Sequence, residues 1–184
     1  MVLLDTTALL LLIEPTAKPP LDPQTNKPVE KCKERLEYLI ETLSQANTKI
    51  VIPTPVLAEV LVGAGSARGA YLSEIQNASA IQIISFDIKS AIELSFLLDA
   101  DGNSSKKKLS RTETWAKVKF DRQIVAIAKA HSVKGLYTDD MHLGEIATAN
   151  GIVAHHIWDL PLPPQKEQGE LDLPEPENSD DDET

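Results

Sequence analysis

The sequence predicts an α/β protein, a three-layer α/β/α sandwich around a central, mostly parallel sheet. Two patterns predict it. Short apolar runs that read as buried strands alternate with stretches of helical length and periodicity, and such alternation builds a parallel sheet covered on both faces. Acidic residues also stand where several apolar runs end, and folds of this class place their sites at the carboxyl ends of strands.

The elements follow in order. Met1 to Leu4 is a first buried strand, and residues 7–13, apolar all round, form a buried helix. Pro15, Pro19, Pro20, Pro23 and Pro28 make 14–29 a loop that is long for a compact domain. Over 30–46, Leu36, Leu39, Ile40 and Leu43 lie on one helical stripe. Residues 49–52 are a second strand; Thr54 is expected to cap the next helix with Pro55 as its first residue, and Gly63 and Gly65 to end it. A helix is read over 67–77, a third strand over 81–86, a helix over 88–99 and a turn over 101–105. Asp121 is expected to open a helix running to His131. A fourth strand over 135–138, a helix over 141–150 closed by Asn150 and Gly151, and a last strand over 152–157 complete the domain, residues 1–160.

With 184 residues, 42% of them apolar and 25% charged, the chain has the composition of one globular domain with a real core. Its longest apolar run, Ala8 to Ile13, is far short of the ~20 residues of a membrane span. No basic segment precedes the first strand, so a signal peptide is not expected and the cytoplasm is the expected compartment. Cys32 is the single cysteine, which excludes an intrachain disulfide and a cysteine zinc site. The net charge of −10 is unevenly spread. Residues 165–184 carry nine acids and one base, net −8, and the remaining 164 residues carry 19 acids and 17 bases, net −2. The body is thus nearly neutral, and a nucleic-acid substrate stays compatible with the acidic total. From residue 161 prolines and acids dominate, and 161–184 is expected to be a disordered acidic tail. The tail has three readings: a solubilising end, a nucleic-acid mimic folded back on basic residues, or a recruiter of a basic partner.

Four acids carry the functional signal. Asp5 closes the first strand, Glu59 follows Thr54-Pro55-Val56-Leu57-Ala58, Asp121 precedes Ile124 to Ala128, and Asp140 follows Leu136-Tyr137-Thr138-Asp139. Each has a plain structural reading. Asp121 and Asp140 precede apolar helices and suit N-caps, and Glu59 suits a first helical turn or a solvated face. Asp5, a charge at the end of a buried strand, calls for a partner. Taken together, carboxylates gathered beside buried segments call for a hard divalent cation.

These segments, in this order, resemble the PIN-domain nuclease family, and in particular toxin-like endoribonucleases of the VapC type. Val2 to Leu9 is similar to the family's opening strand and first catalytic Asp, with a hydroxyl residue two positions on, and Ile52 to Val60 to the segment bearing its Glu. Asp121 to Ala128 resembles the helix with its third acid, and Leu136 to Leu143 its final strand and acidic loop. The family's last motif often reads Thr-Asn-Asp-x-Asp-Phe. Here its second Asp is His142 and its aromatic is Leu143. The matches run from residue 1 to about 157.

The resemblance implies a catalytic set of Asp5, Glu59, Asp121 and Asp140, with Mg²⁺ or Mn²⁺ on Asp5, Asp121 and Asp140 and RNA phosphodiesters as substrate. Asp139 stands as the alternative fourth ligand by a one-residue shift. Thr7 and Thr138 are candidates to hold metal-bound waters or a phosphate oxygen, and Glu59 to bind metal or position the attacking water. The resemblance further implies a homodimer and an antitoxin partner. Apolar faces on 30–46 and 56–62 are open to packing inside the protein or in a dimer. Lys106, Lys107, Lys108, Arg111, Lys117, Lys119 and Arg122 cluster near Asp121. They read either as a solvated charged segment or, beside a nuclease pocket, as phosphate ligands, with Trp115 either stacking on a base or packing. His131, His142, His155 and His156 lack zinc spacing. Two other functions compete. A phosphatase with Asp5 as nucleophile usually has a second Asp two residues on, and Thr7 holds that place. A non-catalytic PIN-like RNA-binding or assembly module is the other.

Overall fold

A computed structural model describes residues 1–100 and 115–164, with backbone alone at Ala100, Trp115, Ala116 and Val118. The expected turn at 101–105, the bases Lys106, Lys107, Lys108 and Arg111, and the acidic segment 165–184 lie outside the described residues. Strand β1 (Val2–Leu4) leads to helix α1 (Thr6–Ile13), a Pro-rich loop and α2 (Cys32–Gln45). Then come β2 (Ile50–Pro53), α3 (Thr54–Gly63), a 3₁₀ turn (Gly65–Ala67), α4 (Arg68–Asn77) and β3 (Ile81–Ile84). Helices α5 (Ile88–Ala100) and α6 (Trp115–Ala130) precede β4 (Gly135–Tyr137), α7 (Met141–Ala149), β5 (Val153–His155) and a 3₁₀ turn (Ile157–Asp159).

All five strands are parallel, in the order β3-β2-β1-β4-β5. The chain adds β2 and β3 on one side of β1, then crosses to add β4 and β5 on the other. Right-handed crossovers therefore put α1–α4 on one face and α5–α7 on the opposite face, giving three layers. Most of the packing follows this division: α1 lies against α2 and α3, α5 against α6, and α6 against α7, while α3 and α6 also meet. Leu3 sits beside Val51 and Leu136 in register, and all three are buried, as expected of central parallel strands covered on both faces. Helix α1 is a helix inside the core, with Ala8, Leu9, Leu11 and Leu12 buried. No described helix is long and apolar enough to cross a membrane.

Three local expectations are corrected. The sixth helix begins at Trp115, not Asp121, so Asp121 lies within it and caps nothing. Its N-terminal turns are written in charged and mixed residues that carry little periodic signal. Thr54 does not cap α3; Pro53 holds the cap position, and the Thr54 hydroxyl accepts from the Phe86 amide at 3.1 Å, tying α3 to the end of β3. The last strand stops at His155, because the chain then turns into the 3₁₀ segment.

The apolar faces of 30–46 and 56–62 are largely used internally. Leu36, Val56 and Val60 are buried, and Leu39, Ile40, Leu43, Leu57 and Leu61 pack on the core. The exposed apolar stripe lies instead on α5, where Ile88, Ile92 and Phe96 follow at four-residue steps and are 80%, 51% and 61% exposed. The loop after α1 carries its own small turn. Leu21 bridges Pro28 antiparallel, and the Asp22 carboxylate accepts from the Gln24 amide and the Thr25 hydroxyl.

Candidate active site

At the carboxyl edge of the sheet, where the chain reverses its direction around β1, lies a cleft of about 600 Å³. A parallel sheet offers a crevice at this topological switch point. Four segments wall it: Asp5, Thr6 and Thr7 after β1; Glu59 and Val62 on α3; Lys117, Phe120 and Asp121 on α6; and Asp140 and Leu143 after β4. Asp5, Glu59, Asp121 and Asp140, separated by up to 135 positions in sequence, thus face one space.

Asp5 is 4% exposed and holds three roles at once. It ends β1, it caps α1 by accepting from the Ala8 amide at 2.8 Å, and its Oδ2 accepts from the Thr138 hydroxyl. Burial pushes its carboxyl from 3.8 up to about 7; the bonds from Ala8 and Thr138 resist this, and the charges of Asp139 and Asp140 add to it. Thr138 is fully buried and also accepts from the Asp140 amide at 3.0 Å. It therefore joins the end of β1 to the end of β4 and is turned inward, out of reach of a phosphate or an exposed water. Thr7 lines the cleft.

Asp140 and Asp139 part company. Asp140 lines the cleft and caps α7, its Oδ1 accepting from the amides of His142 at 2.9 Å and Leu143 at 3.2 Å. Its Oδ2 meets Lys117 Nζ at 2.7 Å. Burial favours the neutral acid here, yet Lys117 and the α7 amides together hold the carboxyl below its ordinary value. Asp139 is turned the other way, where its Oδ1 accepts from the Ile157 amide at 2.9 Å. Burial raises its carboxyl, against the pull of Ile157 and His156. In the turn after β4 the two neighbours are thus separated, one toward the cleft and the other toward the 3₁₀ segment.

Glu59 is exposed at the mouth and accepts from the Thr6 hydroxyl. Thr6, Phe120, Val62 and Leu143 are cleft residues that the sequence reasoning passed over. Thr6 was readable only as the neighbour of Asp5, and the apolar three carry no chemical signature. Asp121 is buried, 4% exposed, on the face of α6 turned to the cleft. Of the predicted bases among the described residues, Lys117 and Lys119 are exposed at α6, whereas Arg122 is 8% exposed and is not among the residues lining the cleft. Three of the four histidines make packing or pairing contacts: His155 stacks on Tyr137, His156 stacks on Trp158 and meets the Thr138 carbonyl, and His131 lies 3.6 Å from Asp87.

Among the described residues no group of three or more His, Cys, Asp or Glu converges tightly enough to enclose a metal ion. The donors present are carboxylate oxygens, which suit Mg²⁺ or Mn²⁺. Mg²⁺ is commonly held by one or two carboxylates with waters and substrate phosphates and not by a full protein cage. A buried carboxyl lifted to about 7 at Asp5 is also one that a cation would return to its charged form. The donor set therefore fits such an ion.

No family model matches the chain, and no curated protein matches it in sequence. Solved structures do. The chain is similar to a chain of VapBC2 from Rickettsia felis, solved bound to a DNA fragment from its promoter, at 18% identity and a TM-score of 0.56, over 85% of this chain and 98% of that one. It is also similar to a chain of DNA-bound VapBC from Salmonella typhimurium, at 16% identity and a TM-score of 0.53, over 85% and 97%. What is shared at such identity is architecture: the chain has the PIN-like fold of these VapBC structures.

Proposed function

We propose that this protein is a Mg²⁺- or Mn²⁺-dependent endoribonuclease, the toxin partner of a toxin–antitoxin pair. The observation that carries the reading is the convergence of Asp5, Glu59, Asp121 and Asp140 on one cleft at the switch point of the sheet. Asp5, Asp121 and Asp140 are the residues that would hold the ion, directly or through water. When bound, it would offset their charge and act as a Lewis acid toward the phosphodiester. Glu59, steadied by Thr6 at the solvent side, orients the attacking water. Thr138 fixes the direction of Asp5. Lys117 and Lys119, with Lys106, Lys107, Lys108 and Arg111, meet RNA phosphates, and Trp115 is assigned to stacking on a base. An antitoxin partner accords with the two similar structures, both of them VapBC complexes. The exposed stripe of α5 is one apolar surface, among the described residues, that such an assembly or a homodimer could cover.

The test is direct. Purified protein is expected to cut RNA with Mn²⁺ or Mg²⁺, to stop with a chelator, and to lose the activity in Asp5→Asn and Asp121→Asn. Cleavage by Asp5→Asn at the wild-type rate would remove the assignment. One observation favours a second reading, a PIN-like module that binds RNA without cutting it: the lack of a tight three-ligand group among the described residues. Mn²⁺ titration separates the two, since the module would bind RNA but not the ion.

A further inference from the structure

Lys117 shares the cleft with the four acids. It stands four residues before Asp121 on α6, so both side chains leave the same face of that helix. Its Nζ lies 2.7 Å from Asp140 Oδ2, the length of a charge-assisted hydrogen bond. The other oxygen of Asp140 is occupied as well, by the amides of His142 and Leu143 at the start of α7. Asp140 is therefore engaged on both sides, by an ammonium and by a helix terminus, whereas the oxygens of Asp5 meet only neutral donors, the Ala8 amide and the Thr138 hydroxyl. The cleft thus has two ends of different character: an ammonium stands against Asp140, and the hydrogen-bond donors to Asp5 are neutral. A two-metal site places a second positive centre within about 4 Å of the first to stabilise both the attacking and the leaving oxygen.

We propose that Lys117 is a built-in cation that takes the place of a second metal ion, so that the protein works with one ion, held directly on the Asp5 and Asp121 side of the cleft and reached by Asp140 through water. This rests on the reading of the cleft as a metal-dependent ribonuclease site and says how that site is charged. An ammonium has three N–H donors, so Lys117 can hold Asp140 and contact a phosphate oxygen of the substrate together. It is a positioning residue for Asp140 and a phosphate contact in one.

The experiment is Mn²⁺ titration of the full chain by calorimetry and by electron paramagnetic resonance, with RNA cleavage measured on the same samples. Wild type is expected to bind one Mn²⁺ and to show the signal of an isolated ion. Lys117→Met removes the charge and is expected to bind two, with the signal of a coupled pair, and Lys117→Arg to return to one. The Lys117 side chain is 47% exposed, so these variants keep the fold, and Lys117→Gln serves as a second neutral variant. Two ions in active wild type, or a single ion in both neutral variants, overturns the proposal and leaves the ribonuclease reading intact. A wild-type protein that neither binds Mn²⁺ nor cuts RNA removes that reading and the proposal with it.

Discussion

Asp5 is a carboxylate the fold tolerates at a cost. Its folded pKa of about 7 lies above its ordinary 3.8. Between these values the unfolded chain gives up a proton that the native chain keeps, so the contribution to stability falls as pH rises from about 4 to 7 and stays low above that. Metal-free Asp5→Asn is therefore expected to be more stable than wild type at pH 8, on the order of 2 kcal/mol, with the difference vanishing near pH 4. Urea denaturation at the two pH values measures it. Added Mn²⁺ is expected to reverse the order by stabilising wild type alone; a wild type that is more stable than the variant at pH 8 without metal would contradict this account of Asp5. Thr138 makes a second prediction. Thr138→Val keeps the shape but deprives both the Asp5 carboxylate and the Asp140 amide of a partner. It is expected to cost about 2 kcal/mol, and Thr138→Ser much less, as thermal unfolding would show. Equal stability of the two variants would mean that the hydroxyl does not link the strand ends.

At the scale of elements, capping and site-building are the same act. Asp5 caps α1 and Asp140 caps α7 while both face the cleft, so a capping role does not take either acid away from the cleft. Asp121 and Asp140 looked alike in sequence because each precedes an apolar run. They differ because the turns of α6 before Asp121 contain Lys117 and Lys119, whose charges hide a helix already under way. The choice between Asp139 and Asp140 was equally hidden, since it depends on which face of the strand end meets β5 and the 3₁₀ turn. Helix α5 offers a clean contrast. Phe96 is 61% exposed and its neighbour Leu97 is 8% exposed. Phe96→Asp is expected to change stability by no more than about 0.5 kcal/mol, and Leu97→Ala to cost about 2–4 kcal/mol. Calorimetric melting temperatures check the pair. A large loss in Phe96→Asp at a concentration where wild type is dimeric would place Phe96 in a subunit interface.

For the whole molecule, the alternation of strands and helices was legible because parallel strands buried on both faces must be almost wholly apolar, as Val2-Leu3-Leu4 and Ile50-Val51-Ile52 are. The gathering of the acids was legible from their order along the chain, although only Asp5 and Asp140 follow strands and Glu59 and Asp121 lie on helices. The pairing of Lys117 with Asp140 was not, because it joins two crossovers that no local pattern relates. The strand order has a consequence in time. β1 is made first, but it gains its second neighbour only when β4 arrives, more than a hundred residues later. Pairings so distant in sequence close slowly. A chain still being synthesised, or a fragment ending at residue 100, holds Asp5 and Glu59 without Asp121 and Asp140. It cannot form the cleft, and it leaves one edge of β1 uncovered. If the ribonuclease reading holds, the protein would thus be silent during its own synthesis until β4 and the first turn of α7 have joined the sheet.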